Sequence, residues 1–144
     1  CSVTLLAAGG LIGPATPLGT SFRNATQVKM NGSDCVTVLG ARWLSPASDP
    51  KILAQVECWP AVLVAHLATS RGMALEDWWG AGTAPLLVIQ GLDDEAAPPG
   101  NGHALREQFG ERVQVIDLPR AGHFLLLEQP EAVTRAVAEF VGSR

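Results

Sequence analysis

Two short apolar runs, each followed by a turn with an ionisable side chain, constrain the fold of this chain more than any other feature. The first run, residues 85–90, is almost continuously apolar and contains β-branched residues, which is typical of a parallel strand buried on both faces. Gly91 ends it, and a loop with Asp93, Asp94 and Glu95 follows. Because open α/β sheets keep their sites beyond the carboxyl ends of strands, Asp94 is a candidate functional residue.

The second apolar run, Val113–Leu118, predicts a neighbouring strand. Residues 101–109 between the two runs have the spacing of a helix, which Gly110 is suited to end with a positive φ. After the second strand, Gly122 permits a sharp turn that places His123 on a loop. His123 is therefore a candidate base at the same edge of the sheet as the acidic turn.

A final helix is predicted from Pro130 onward. Proline suits the first turn of a helix, and Glu131 interacts favourably with the helix dipole there. The apolar residues that follow have helical spacing and predict one buried stripe. Its members are Ala132, Val133, Ala136, Val137 and Phe140.

This order of elements resembles the C-terminal third of the α/β-hydrolase fold. The matching residues are Gly91-x-x-Asp94-x-x-x-Pro98, Gly122-His123 and Glu128-x-Pro130. The resemblance is specific over about residues 84–141 and extends to residues 1–13. It implies an α/β chain with about three parallel strands and an inserted, mainly helical cap. It also implies that Asp94 orients His123, and that His123 activates a nucleophile earlier in the protein.

Other readings of the same residues remain open. The acidic cluster is also compatible with a solvated turn, and Asp93 competes with Asp94 for the role of the acid. The family spacing favours Asp94. Among the other histidines, His66 is interpreted as a core or cap residue and His103 as a surface helix residue, because neither follows a strand and turn.

The resemblance divides the chain into three parts. Residues 1–14 form a core strand with its exit loop, residues 15–83 form the cap, and residues 84–144 form the C-terminal part of the core. Within the cap, Asp49 and Pro50 predict a helix to about residue 57, and another apolar helix is predicted over residues 61–69. The cap region contains Trp43, Trp59, Trp78 and Trp79. Core packing explains most tryptophans. An aromatic cap nevertheless suggests an apolar pocket, and hence an uncharged or hydrophobic substrate.

The sequence contains no Gly-x-Ser-x-Gly nucleophile motif. Its nearest match is residues 68–72, centred on Ser70, but the preceding residues have helical rather than strand character. We therefore expect the nucleophile and the oxyanion hole on an N-terminal partner segment. The expected activity is serine-type hydrolysis of an ester, amide or lactone without a cofactor. The alternatives are a self-sufficient hydrolase that uses Ser70 and a binding module without catalysis.

Composition excludes several classes of function. The net charge is −4 and basic residues do not cluster, which argues against nucleic acid as a partner. The apolar runs are too short to span a membrane, and the start lacks the basic region of a signal peptide. The cysteines, Cys1, Cys35 and Cys58, are odd in number and lack metal-ligand spacing. They indicate free thiols in a reducing compartment, and hence the cytoplasm.

The first residue adds one more expectation. Cys1 stands at the start of a core strand, which suggests a cleavage point in a longer precursor. Its thiol is nucleophilic enough to attack the preceding carbonyl, so self-cleavage is one interpretation and a proteolytic boundary is the other. We also expect residues 1–144 not to form a stable monomer alone, because three strands leave one sheet edge unpaired.

Overall fold

The computed structural model describes the backbone of residues 3–6 and residues 43–55, 74, 77, 79–80 and 82–143. The strands in these residues are β1 (Val3–Leu6), β2 (Leu86–Gly91) and β3 (Val113–Leu118). The α-helices are α1 (Gly100–Phe109), α2 (Leu125–Glu128) and α3 (Pro130–Gly142). In the same described residues, 3₁₀ helices cover Pro50–Gln55 and Gly110–Arg112.

The three strands form one parallel sheet in the order β1-β2-β3. Val3 pairs with Leu86, and Leu86 pairs with Val113. Parallel strands end at the same edge, so the turns after β2 and β3 are neighbours although a helix separates them in sequence. The predicted α/β class is confirmed, and this edge carries the candidate residues.

Both faces of β2 are covered, which explains its continuous apolar sequence. All six residues of the strand are buried. Leu87 and Ile89 pack in a cluster with α3, to which Val133, Ala136 and Phe140 contribute buried side chains. Leu86 and Val88 belong to a second cluster on the opposite face, with Trp79, Leu105 of α1 and Val113. The sheet is therefore a rigid support for the turns at its edge.

Local sequence signals placed most of these elements correctly. The residue that ends α1, Gly110, has φ of 66°, and Pro130 stands at the start of α3. The helix predicted from Asp49 and Pro50 to about residue 57 is described over Pro50–Gln55, where it is a 3₁₀ helix. Its tighter winding starts where the carbonyl of Asp49 accepts the amide of Ile52, at 3.1 Å. Asp49 caps it as expected, because its Oδ1 accepts the amide of Lys51 at 2.9 Å.

Several predictions fall outside the described residues. They concern Cys1, His66, Ser70 and the helix over residues 61–69. The division of the chain at residues 14 and 83 also stays a prediction. In the ranges that the structure describes, no helix has both the length and the apolar character needed to cross a bilayer.

Candidate active site

The turn after β2 buries the carboxylate of Asp94. Its Oδ1 accepts hydrogen bonds from the backbone amides of Ala96 and Ala97, both at 2.8 Å. The amide of Asp94 itself donates to the carbonyl of Gly91 at 3.2 Å, which closes the turn. The side chain is 0% exposed. Asp94 is therefore held in one orientation by the backbone of its own loop, with Oδ2 left for another partner.

Backbone hydrogen bonds join this turn to the one after β3. The amide of Leu92 donates to the carbonyl of Leu118 at 3.0 Å, and the amide of Asp93 donates to the carbonyl of Ala121 at 2.9 Å. The amide of His123 donates to the carbonyl of Trp43 at 2.6 Å. Three stretches of chain that are distant in sequence thus meet at one edge of the sheet.

Two glycines allow this close approach. A Cβ atom at Gly91 would collide with the carbonyl oxygens of Ala121 and Gly122. A Cβ atom at Gly122 would collide with the carbonyl oxygen of Trp43 and would lie 2.7 Å from the amide nitrogen of Ser45. Because these neighbours are backbone atoms, they cannot rotate away as a side chain would.

We expect Gly91→Ala to separate the two turns. The free energy of unfolding should fall by about 1–3 kcal/mol, the usual cost of overpacking. Any reaction that depends on the relative position of the two turns should slow by roughly 100-fold, since a displacement of about 1 Å at a reacting group has that effect. Gly142→Ala is the control, because a Cβ atom there would meet no atom of the described residues within 4 Å. Urea unfolding measures the free energy of unfolding, and steady-state kinetics measures the rate. If both values were the same in Gly91→Ala and Gly142→Ala, close packing at Gly91 would not be needed.

His123 faces the carboxylate of Asp94 directly. The distance from His123 Nδ1 to Asp94 Oδ2 is 3.0 Å, although 29 positions separate the residues. A carboxylate that is ionised only accepts, so Nδ1 must donate in this contact, and a neutral imidazole in this tautomer has its lone pair on Nε2. The imidazole is 29% exposed beside the fully buried acid. The two side chains that the sequence predicts to meet are therefore in hydrogen-bond contact, with the imidazole held in one orientation.

The neighbouring acid has a different partner. Asp93 Oδ2 accepts a hydrogen bond from the hydroxyl of Ser45 at 2.6 Å. Its contact thus supports the segment around residue 45 and not the imidazole. His103 is exposed, as expected for a surface helix residue, and its Nε2 lies 2.8 Å from Oδ2 of Asp117.

Sequence reasoning did not predict what surrounds the imidazole. The ring of Trp43 meets His123 edge-on, with the centroids 4.9 Å apart and an angle of 62°. Phe124 lies next to both rings, with its centroid 6.2 Å from that of His123 and 6.0 Å from that of Trp43. The sequence predicted an aromatic cap with four tryptophans, one of which is Trp43. Nothing in the sequence indicated that Trp43, and not another tryptophan, would contact His123.

A cavity of about 380 Å³ lies nearby but not at the pair. Its lining residues are Ala47, Ser48, Asp49, Ile52, Arg120, Glu128 and Gln129. It therefore borders the side of the histidine turn that faces Glu128.

Comparison with known proteins agrees with the geometry. The model of the alpha/beta hydrolase family matches residues 2–136. The chain belongs to the alpha/beta hydrolase family. This hydrolase chain is 31% identical over 96 residues to BpoC of Mycobacterium tuberculosis, which carries the name of a non-heme bromoperoxidase; the match covers 67% of the chain and 32% of BpoC.

Solved structures of the same fold extend the comparison. An esterase from Thermogutta terrifontis superposes with a TM-score of 0.75 at 21% identity, over 99% of this hydrolase chain and 56% of the esterase. The serine hydrolase CarC, involved in carbazole degradation, gives a TM-score of 0.67 at 17% identity, over 99% of the chain and 54% of CarC. The hydrolase chain thus spans about half the length of these proteins.

Proposed function

We propose that this chain supplies the acid and the histidine of a hydrolytic triad. The observation that carries the proposal is the 3.0 Å hydrogen bond between the buried Asp94 and the partly exposed His123. Membership of the hydrolase family supports a hydrolytic reaction. The proposed substrate is an uncharged or hydrophobic ester, amide or lactone.

The proposed mechanism assigns one task to each group. His123 Nε2 removes the proton from the hydroxyl of the nucleophile while that oxygen attacks the substrate carbonyl carbon. Asp94 keeps the hydrogen on Nδ1 and stabilises the imidazolium that forms. The imidazolium then returns the proton to the leaving group as its bond to the carbonyl breaks. Water, deprotonated by the same Nε2, then attacks the acyl carbon. The bond between that carbon and the nucleophile oxygen breaks, the imidazolium returns its proton to this oxygen, and the acid is released.

The nucleophile is proposed to come from a segment outside residues 1–144. Two observations support this: the sequence lacks Gly-x-Ser-x-Gly, and the chain spans only about half of its solved relatives. The sheet supplies a further argument. In the described part of the chain, β1 pairs with β2 alone, so its other edge offers a place for an added strand.

An apolar substrate is proposed from the rings beside His123. Trp43 and Phe124 place aromatic surface next to the imidazole, where the acyl or leaving group of a substrate must lie. Aromatic walls stabilise apolar and aromatic groups by burial and stacking.

We therefore expect Trp43→Ala to lower kcat/KM for a nitrophenyl hexanoate by roughly 10-fold or more, because apolar contact area is lost. Nitrophenyl acetate is the matched control substrate. Its kcat/KM should fall by less, because its acyl group is shorter and makes less contact with Trp43. This variant retains the hydrogen bond from the backbone amide of His123 to the backbone carbonyl of residue 43. Equal losses for both esters would argue against a substrate wall.

The proposal is tested by comparing two preparations. One contains residues 1–144 alone, and the other contains them together with the N-terminal hydrolase segment of the source protein, hereafter the assembled hydrolase. We expect hydrolysis of a nitrophenyl ester by the assembled hydrolase only. Activity of residues 1–144 alone that Ser70→Ala removes would make the chain self-sufficient. Binding of apolar ligands without any turnover would make it a binding module.

A further inference from the structure

We propose that Glu128 is a positioning residue, whose carboxylate fixes the turn that carries His123 and attaches the Trp43–Ser48 segment to it. This inference rests on the proposed function, because it concerns the geometry of the same histidine. Glu128 is partly buried and lies at the end of the one-turn helix α2. Its carboxylate accepts hydrogen bonds from backbone amides and a hydroxyl around the histidine turn, so its effect passes through the position of His123.

The carboxylate holds the backbone on both sides of the histidine. Glu128 Oε1 accepts the amides of Gly122 and Phe124, both at 3.0 Å. The amide of Gly122 is shared with Oε2, also at 3.0 Å. Since Gly122 and Phe124 flank His123, these bonds restrain the chain directly before and directly after the base.

The second oxygen reaches the Trp43–Ser48 segment. Glu128 Oε2 accepts the amide of Ser45 at 2.9 Å and the hydroxyl of Ser48 at 2.7 Å. That segment also accepts the amide of His123 through the carbonyl of Trp43. One carboxylate therefore accepts hydrogen bonds from three backbone amides and one hydroxyl. These donors come from two distant parts of the chain, which the carboxylate holds together at the histidine turn.

The local fold explains how Glu128 reaches these groups. Its own amide donates to the carbonyl of Phe124 at 2.9 Å, and the amide of Leu127 donates to the same carbonyl at 2.8 Å. This single helical turn folds the side chain back toward the start of the turn. Pro130 then begins α3, whose buried face is packed on the sheet. The carboxylate is thus anchored to the core while it holds the loop.

A charged acceptor suits this task better than a neutral one. Hydrogen bonds to an ionised carboxylate are stronger than those between neutral groups, and removing the acceptor leaves several donors without a partner. The turn would then move, and with it the ring of His123 relative to Asp94. The consequence is a smaller fraction of His123 in the tautomer with hydrogen on Nδ1.

The test compares Glu128→Ala, Glu128→Gln and the control Glu131→Gln in the assembled hydrolase. Glu131 has the same charge and lies three residues later, but it is exposed in the first turn of α3. The first readout is the His123 tautomer, from ¹⁵N NMR in alkaline buffer where imidazole is neutral. The second is the separation of kcat from KM in ester hydrolysis.

We expect Glu128→Ala to mix the two tautomers and to lower kcat by roughly 100-fold with little change in KM. Glu128→Gln keeps an acceptor for Gly122 and Phe124, so its kcat should fall by only roughly 5- to 10-fold. Glu131→Gln should stay within about 2-fold of the unaltered protein. A merely structural role would lower the amount of folded protein without shifting the tautomer.

Different outcomes separate the two proposals. If the unaltered protein hydrolyses no ester, the proposed function fails and the tautomer fractions alone decide the role of Glu128. If Glu128→Ala retains the Nδ1 tautomer and full kcat, the positioning role is overturned. If Glu128→Ala does not fold, Glu128→Gln decides, and identity with Glu131→Gln in both readouts overturns the proposal.

Discussion

His123→Ala is expected to lower kcat of the assembled hydrolase by roughly 10⁴-fold or more, the scale of losing the base of a triad. The fold should survive, because the ring is partly exposed. The hydrogen bond from the backbone amide of His123 to the carbonyl of Trp43 does not depend on the side chain. Ester hydrolysis and thermal unfolding measure the two effects separately.

The chain offers a matched control for this substitution. His103 is also a partly solvated histidine bonded to a carboxylate, at 2.8 Å from Asp117, but it lies on α1. His103→Ala should therefore leave kcat within about 2-fold of the unaltered protein. Substantial residual turnover in His123→Ala would remove this histidine from the mechanism.

The second large effect is expected from Asp94→Asn, with a loss of roughly 10³- to 10⁴-fold in kcat. Asparagine keeps an oxygen that can accept the amides of Ala96 and Ala97, so the loop should retain its shape. Its amide group, however, would donate to Nδ1 of His123 and move the ring hydrogen to Nε2. The lone pair needed for proton abstraction would then face the wrong way.

Asp93→Asn separates the tautomer argument from a simple effect of charge. It removes the same charge one residue earlier, but Asp93 accepts from Ser45 and not from His123. Its kcat should fall only a few-fold, because a hydrogen bond from a neutral hydroxyl contributes about 1 kcal/mol. Equal losses at both positions, together with an unchanged His123 tautomer in Asp94→Asn, would show that charge and not orientation matters.

The strands and helices near the site could be predicted because their signals are local. Leu86–Gly91 is apolar because both faces of β2 are covered, and a run of consecutive apolar residues reports this directly. Gly110 adopts the positive φ that its place after a helix predicts, and Pro130 starts α3. Even the approach of Asp94 to His123 follows from local information, since the ends of adjacent parallel strands must be neighbours.

The surroundings of the histidine could not be predicted in the same way. Ser45 and Glu128 are 83 positions apart, and no spacing rule relates a residue of the Trp43–Ser48 segment to the turn after β3. The motif Glu128-x-Pro130 contributed to the family resemblance, but the sequence did not show which donors this carboxylate accepts. The edge contact of Trp43 with His123 was hidden for the same reason.

The sequence by itself determined the class of fold and the edge of the sheet at which the acidic turn and His123 meet, because hydrophobic periodicity, glycine and proline act over a few residues. Only the tertiary structure decided that Asp94 and not Asp93 faces the imidazole, and that Glu128 and Trp43 surround its turn. Those choices depend on side-chain directions and on contacts between distant segments, which exist only after the sheet has brought the turns together.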